Sequence, residues 1–169
     1  MKEKDRILKK IEDDLSRFPP SVGENFRQSS GSLSANLTDD QVLTWASFGL
    51  EIAQQTARSW EPASEYYRVS LDVRPYLSAQ QLFDWGQVGV ELCLDSPSLG
   101  NAFFRASASC FKQIKPEEIK AWAMLGKCLY KGTWKSVMLA NKFLEISPKL
   151  LERMTFAEVR RFVELIDAL

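Results

Sequence analysis

Histidine is absent from this chain, and that absence removes several kinds of active site at once. None of the 169 residues is His. Histidine is the commonest general base and the commonest metal ligand in proteins, and it activates the serine or cysteine nucleophile of many hydrolases. No pair of carboxylates stands out as a substitute acid and base. We therefore expect a noncatalytic protein that needs no cofactor.

Cysteine is scarce, and its spacing suits neither a disulfide framework nor a zinc site. The chain has three cysteines, Cys93, Cys110 and Cys128, and no two of them form a C-x-x-C pair. An odd number without paired spacing argues against both kinds of cross-link. We interpret all three as buried, reduced thiols and expect no metal site.

An excess of one charge and a long apolar run are also missing. Lys and Arg together number 22, and Asp and Glu together number 22. A neutral balance gives no overall attraction to nucleic acid or to an anionic membrane. No apolar run approaches the ~20 residues that span a bilayer, and residues 1–6 are too charged for a signal peptide. We expect a cytoplasmic protein with no membrane span and disfavour nucleic acid as its partner.

What the sequence does contain is a repeat. The pattern W-[AG]-x-x-G occurs three times, at spacings of 40 and 37 residues. An aliphatic residue lies eight positions before each Trp, and a degenerate fourth copy places Met154 eight positions before Phe162. Periods of this length are typical of stacked helix pairs. The repeated positions are Trp45 and Gly49, Trp85 and Gly89, and Trp122 and Gly126.

A second motif follows each Trp and belongs to a second helix, which we call helix B of the unit. It consists of an aromatic pair or its equivalent, usually an Arg, and then a Ser. We expect helix B to be shorter than the Trp-bearing helix A, to start near Pro62, Pro97 and Thr133, and to end near the Ser. The copies are Tyr66-Tyr67-Arg68-Val69-Ser70, Phe103-Phe104-Arg105-Ala106-Ser107 and Phe143-Leu144-Glu145-Ile146-Ser147, with Phe26-Arg27-Gln28-Ser29 as an earlier relative.

Helix-start chemistry recurs at the same point of each unit. Thr38, Ser78 and Thr155 each precede a Gln or Glu by three residues, which predicts a capping box. Pro116 takes the first helical position in the remaining unit. From each start, apolar residues follow at steps of three or four and form one stripe. We therefore predict an all-α fold, an α-solenoid of about four helix-turn-helix repeats with a period of 37–40 residues.

This frame divides one domain into five segments. Residues 1–36 form an N-terminal cap and a degenerate repeat, in which residues 29–32 are interpreted as a loop. Residues 37–76, 77–113 and 114–153 are full repeats, and residues 154–169 are a partial repeat. We expect a fragment of a larger protein with an exposed apolar face near the C-terminus, because no helix B follows the apolar residues Phe156, Val159, Phe162, Val163 and Ile166.

The recurring Trp and Gly have a structural interpretation and a functional alternative. A Gly inside a helix costs roughly 1 kcal/mol relative to Ala. Its recurrence at one helical position predicts that the backbone of another helix passes close by, with the Trp filling the groove one turn earlier. The alternative is that the three Trp side chains form a stacking platform for bases or sugars. The lack of a basic surplus argues against that platform.

Three arginines are the candidate partner-binding residues. Arg27, Arg68 and Arg105 each follow an aromatic residue and project from equivalent points of successive B helices. Such a ladder can hold an acidic partner through bidentate hydrogen bonds. The alternative is that each Arg pairs with a neighbouring carboxylate. Glu145 breaks the series, which leaves either a structural role or a site confined to the first three units.

The W-[AG]-x-x-G motif, followed by the aromatic pair with Arg and Ser and a short linker, resembles a known bacterial repeat. It is similar to the helical repeats that precede the von Willebrand factor A domain in proteins of the nitric-oxide-reductase activation type. The resemblance covers roughly residues 21–169. It implies a bacterial scaffold that works beside an A domain and a MoxR-type AAA+ ATPase. No A domain is present here, so its metal site has no counterpart among these residues.

The sequence thus favours a noncatalytic protein-interaction scaffold whose partner is a protein or an adjacent domain. One alternative is a HEAT-like nucleic-acid-binding or base-excision protein, which needs exposed Trp and a basic groove. Another is an oligomerising structural module that associates through its C-terminal face.

Overall fold

The computed structural model describes all residues from 1 to 169 as α-helices joined by short turns, with no strand. Two 3₁₀ turns, Arg74–Tyr76 and Pro116–Glu118, precede the helices that begin at Ala79 and Ile119. The all-α prediction is therefore confirmed. The nine helices are α1 (Glu3–Leu15), α2 (Pro20–Ser34), α3 (Asp39–Gln54), α4 (Trp60–Val73), α5 (Ala79–Asp95), α6 (Pro97–Cys110), α7 (Ile119–Leu129), α8 (Trp134–Leu150) and α9 (Phe156–Asp167).

The helices alternate between two layers. Layer A contains α1, α3, α5, α7 and α9, and layer B contains α2, α4, α6 and α8; within each layer, neighbours pack in chain order. Helices of layer B lie closer to one another than those of layer A. A single apolar cluster runs through all units. One continuous core is what stacked amphipathic pairs require, because no pair can bury its apolar face alone.

Two predicted capping boxes are present and a third is incomplete. The Thr38 hydroxyl accepts from the Gln41 backbone N–H at 3.3 Å, and the Gln41 side chain accepts from the Thr38 N–H at 3.0 Å. Ser78 and Gln81 make the same two bonds. Thr155 accepts from the Glu158 N–H at 3.2 Å, but no return bond forms. Because Thr155 is exposed, water can satisfy its N–H instead.

The third full unit departs from the expected helix lengths. Pro116 begins a 3₁₀ turn, and the α-helix itself begins only at Ile119. As a result, α7 has 11 residues while α8 has 17. The expectation that helix B is always the shorter one is wrong in this unit.

The serines lie inside the B helices and do not mark their ends. Helices α4, α6 and α8 continue three residues beyond Ser70, Ser107 and Ser147. The predicted loop at residues 29–32 is also helical, as part of α2. Ser29 is buried there and donates to the Tyr67 carbonyl at 2.6 Å. Serine is a weak helix former, but small side chains allow neighbouring helices to approach and its hydroxyl finds a partner across the contact.

Candidate partner-binding surface

Each repeated Trp is held by the repeated Ser of its own unit. Trp45, Trp85 and Trp122 have no exposed surface. Their indole Nε1 atoms donate to the hydroxyls of Ser70, Ser107 and Ser147 at 2.9, 2.9 and 2.7 Å. A buried indole N–H needs an acceptor, because leaving it unpaired costs about 1–3 kcal/mol. The Ser that ends the second motif is therefore the acceptor that allows the Trp to be buried.

The aromatic residues form one column along the array. Phe26 stacks on Trp45 with ring centroids 5.7 Å apart, and Tyr66 stacks on Trp85 at 5.6 Å. Phe103 lies 5.7 Å from Trp122. Burial raises the pKa of Tyr66, whose hydroxyl donates to the Trp45 carbonyl at 2.9 Å. The column is a core element that joins successive units.

The glycines make room for a side chain, and the predicted close approach of a helix backbone is wrong. A Cβ at Gly49 would lie 2.0 Å from the Tyr67 ring, and one at Gly89 would lie 1.9 Å from the Phe104 ring. At Gly126 the neighbour is Leu144, at 2.8 Å. Each Gly thus receives the second member of the aromatic pair, or Leu144 in its place, from helix B of the same unit.

The full burial of the Trp side chains bears directly on the alternative of a stacking platform. A base or a sugar can stack only on a ring face that solvent reaches. Trp45, Trp85 and Trp122 present no such face, so these three side chains do not form a stacking platform. None of the helices is both long enough and apolar enough to cross a membrane. No group of three or more Cys, Asp and Glu side chains is placed to hold a metal ion.

Two of the three candidate arginines are paired within the chain. Arg27 Nη1 lies 2.9 Å from the Glu12 carboxylate of α1. Arg68 Nε donates to Glu65 at 2.9 Å, and its Nη1 lies 3.9 Å from Asp72. For Arg27 and Arg68, the alternative that each Arg pairs with a neighbouring carboxylate is therefore correct.

Arg105 differs from Arg68 because its helix lacks the matching acids. The positions of α6 that correspond to Glu65 and Asp72 are Ala102 and Ser109. Arg105 is exposed and belongs to none of the chain's nine ion pairs. Its guanidinium therefore retains its donors for a partner.

A polar groove of about 470 Å³ between α6 and α8 contains Arg105. Four buried side-chain polar atoms in the chain have no hydrogen-bond partner, and two of them, Asn101 Oδ1 and Asn141 Oδ1, belong to residues that line this groove. A groove on the surface of α3 has a similar volume but no such atom. Buried acceptors without donors are unusual in folded chains. The amide oxygens without donors, and not the volume, therefore distinguish the groove at Arg105 from the groove on α3.

The charges in this groove favour an acidic ligand near Arg105. Glu145 lies on the α8 side and accepts from Lys142 at 3.3 Å, so a lysine already faces this carboxylate. The Asn141 side-chain amide donates to Ser98, which leaves its oxygen as an acceptor. A ligand that presents a carboxylate to Arg105 and N–H groups to the two Asn oxygens would satisfy all three. An acidic peptide in an extended conformation has both kinds of group.

Sequence reasoning missed the two asparagines, although their spacing contained a signal. Asn101 and Asn141 are 40 residues apart and occupy the same position of helix B, two residues before the aromatic pair or its equivalent. The matching residue in α4 is Ser64, which accepts from Asn25 at 2.8 Å. Aligning whole units, and not only the Trp and Arg motifs, would have shown both the recurring Asn and the loss of acids beside Arg105.

Two cysteines lie in the core as expected, and the third does not. Burial raises the pKa of Cys93 to about 12 and that of Cys110 further. Cys128 is only partly buried, so its assignment as a buried thiol is wrong. Its Sγ donates to Asp167 at 3.1 Å, and this hydrogen bond is the main cause of its raised pKa. None of the three thiols has the lowered pKa that makes a cysteine a ready nucleophile.

The C-terminal face is exposed only in part, and the expectation that Val159 and Val163 belong to it is wrong, because both are buried. In α9, Phe162 and Leu165 are 53% and 62% exposed, while Val159 and Val163 are buried in the core.

Comparison of the chain with family models, curated proteins and solved structures finds no match. What the molecule does must therefore be argued from its own surfaces.

Proposed function

We propose that this chain is a noncatalytic protein-interaction scaffold whose layer B binds an acidic, extended segment of a partner protein. The observation that supports the proposal is the groove at Arg105, where an unpaired guanidinium lines the same groove as Asn101 and Asn141, two residues whose side-chain oxygens have no donor. The helix pairs hold the backbone on both sides of the groove in place, so only side chains have to be ordered on binding. A stacked array also offers the long surface that such scaffolds use.

The partner chemistry follows from the groups in the groove. Arg105 binds a carboxylate in bidentate fashion, and a charge-assisted bond of this kind is roughly twice as strong as a neutral one. The oxygens of Asn101 and Asn141 accept backbone N–H groups of the same segment. The ligand class is therefore an acidic peptide, for which both the charge and the backbone matter.

The resemblance to repeats that precede an A domain suggests a more specific setting. On that basis the partner or neighbour would be an A domain or a MoxR-type AAA+ ATPase. The family comparison gives no match, so this finer assignment rests on the sequence motifs alone. The groove, by contrast, rests on the structure and does not depend on the resemblance.

Charge reversal at two equivalent arginines tests the proposal. The probe is a fluorescein-labelled decapeptide of alternating Asp and Gly, with an Asn-Gly peptide as its uncharged counterpart, measured by fluorescence anisotropy at low salt. We expect the acidic peptide to bind more tightly, and Arg105→Glu to weaken it about tenfold or more. Arg68→Glu is the matched control and should have little effect, since Arg68 already faces Glu65 and Asp72.

Two further results would contradict the proposal. Equal loss of binding in the Arg68→Glu and Arg105→Glu variants would mean that general surface charge, and not the groove, attracts the peptide. An unchanged affinity after Asn101→Ala combined with Asn141→Ala would remove the role of the two amide oxygens. All three variants should be folded, because Arg68 and Arg105 are exposed and the two Asn side chains are only partly buried.

A further inference from the structure

A second polar groove meets the Arg105 groove at Ser98. It has a volume of about 390 Å³ and lies between the first turns of α4 and α6, and Ser98 lines both grooves. The Asn141 side-chain amide donates to the Ser98 hydroxyl, which leaves the hydrogen of that hydroxyl for a ligand. The two grooves therefore form one polar path that runs along α6 and past its first turn.

Arg58 lines this second groove from the turn between α3 and α4. It is exposed and belongs to none of the chain's nine ion pairs. The turn is held by Ser59, which is fully buried and whose hydroxyl accepts from the Thr56 N–H at 3.1 Å. Arg58 thus matches Arg105, because each is an unpaired guanidinium on a hydrogen-bonded backbone beside a polar groove.

Two carboxylates adjoin the second groove, and neither is paired with Arg58. Glu61 lines the groove from the first turn of α4, where the positive helix end stabilises a carboxylate. Asp95 directly precedes Ser96 of the groove and lies 3.1 Å from the Lys127 ammonium, which balances its charge. The cation at Arg58 therefore remains available to a ligand.

The start of α6 adds to the attraction for an acid. Ser96 precedes the helix but makes no capping hydrogen bond to it. The N–H groups of a first helical turn have no partner within the helix, and the positive end of the helix dipole favours a carboxylate. Arg58 and this uncapped turn line the same groove and favour the same chemical group.

A polypeptide suits the whole path better than a nucleic-acid strand does. Asn101 and Asn141 line the Arg105 groove, and their side-chain oxygens have no donor. A peptide backbone supplies N–H groups for these oxygens, whereas a chain of phosphates presents only acceptors. The path as a whole therefore favours an acidic peptide.

The length of α6 between the two ends of the path predicts how far apart the acids lie. Ser98, where the grooves meet, and Arg105 are seven residues apart on α6, which corresponds to about 10 Å along the helix axis. An extended peptide covers that distance with about three residues. Because Arg58 lies beyond Ser98, a segment that contacts both arginines carries two acids about five residues apart.

We propose that the acidic segment bound at Arg105 crosses Ser98 and places a second carboxylate on Arg58. This inference rests on the proposed function, since it concerns the same bound segment. Arg58 determines specificity, because a segment with two suitably spaced acids contacts both arginines, whereas two adjacent acids contact only one. The second contact forms within a complex that the first has already made, so it costs less entropy than a separate binding event.

Two decapeptides of the same composition test the inference. Each has two Asp residues in a background of Gly and Ser; the two Asp are adjacent in one peptide and about five positions apart in the other. Both carry fluorescein, and their binding to the full chain is measured by fluorescence anisotropy at low salt. We expect the spaced peptide to bind about fivefold more tightly than the adjacent one.

Substitution of Arg58 should abolish that preference. In the Arg58→Gln chain the spaced peptide loses its second contact, so its affinity should fall about fivefold, to that of the adjacent peptide. Arg105→Gln should weaken both peptides. Glu61→Gln removes a competing carboxylate and should tighten binding of the spaced peptide about twofold. Arg161→Gln on α9 is the control, because Arg161 is also exposed and unpaired but lines neither groove.

The outcomes separate this inference from the function on which it rests. If Arg105→Gln weakens both peptides but Arg58→Gln leaves the spaced peptide preferred, the inference is wrong and the proposed function stands. If Arg105→Gln affects neither peptide, the proposed function itself fails. Equal affinity of the two peptides for the unmodified chain would overturn the inference, as would tighter binding of a decathymidylate strand than of the spaced peptide.

Discussion

The three full units and the terminal helix α9 have the same helix-A pattern but bury it to different extents. Trp122 in α7 is fully buried under α8, whereas Phe162, its counterpart in α9, is 53% exposed. The residues that face the preceding A helix, Val159 and Val163, are buried in α9 as in the other units. Burial of the aromatic position is therefore set by helix B of the same unit, not by helix A or its sequence.

The same comparison explains the glycines. In the full units, Gly receives a side chain from helix B, while α9 has Ile166 at that position. A cavity is kept open only where a partner side chain fills it, because protein interiors tolerate few voids. Trp, Ser, Gly and the aromatic pair thus form one interlocking set, and α9 lacks it.

The largest expected contrast compares the two aromatic positions directly. Trp122→Ala removes a buried indole and leaves the Ser147 hydroxyl without its donor, so we expect a loss of about 4 kcal/mol in the free energy of unfolding. Phe162→Ala should lower it by less than about 1 kcal/mol, since half of that ring is already in water. Urea unfolding followed by circular dichroism measures both. Similar losses for the two variants would contradict the view that helix B determines burial.

The glycine positions should give the next largest effect. Gly89→Ala places a methyl group 1.9 Å from the Phe104 ring, and we expect about 3 kcal/mol of destabilisation. Gly126→Ala should be milder, because Leu144 is a smaller and more flexible neighbour at 2.8 Å. Gly31 in α2 has no atom within 4 Å of an added Cβ and is the control. Gly31→Ala should stabilise the chain by up to about 1 kcal/mol, and thermal unfolding of the three variants gives the order.

The smallest of the three effects isolates the bond between Trp and Ser. Ser107→Ala leaves the Trp85 indole N–H without an acceptor, which should cost about 1–2 kcal/mol. Ser109→Ala on the same helix is exposed and should be nearly neutral. In a double-mutant cycle, Ser107→Ala should have a smaller effect once Trp85 is replaced by Phe. Additive losses in that cycle would mean that the serine acts through its bond to the Phe103 carbonyl alone.

Much of the fold could be predicted because helix formation depends on local chemistry. The hydroxyls of Thr38 and Ser78 cap helices in the way that their spacing to Gln41 and Gln81 indicates. The ends of the B helices were harder to place. Serine is common at helix ends and in loops, so Ser70 and residues 29–32 suggested termini. Only the contacts between helices show that Ser70 accepts from Trp45 and that Ser29 donates to Tyr67.

The candidate site was predictable in part. The positions of Arg27, Arg68 and Arg105 follow from the repeat, and all three lie exposed in layer B. Which of them is available depends on carboxylates of the same helix for Arg68 and of another helix for Arg27. Glu12 of α1 reaches Arg27 across 15 residues of sequence, a contact that no local pattern contains. Arg105, in contrast, could have been singled out by the loss of the acids that flank Arg68.

By itself, the sequence determined the all-α class, the period and the register of the helices, because capping and apolar spacing act within a few residues of one another. Tertiary structure alone decided that Gly89 accommodates the Phe104 ring, that Ser107 accepts the Trp85 indole N–H, and that Arg27 pairs with Glu12. Each of these outcomes depends on which atoms meet across two helices. Contacts of this kind depend on the distance between two side chains in the folded protein, which the spacing of residues along the chain does not specify.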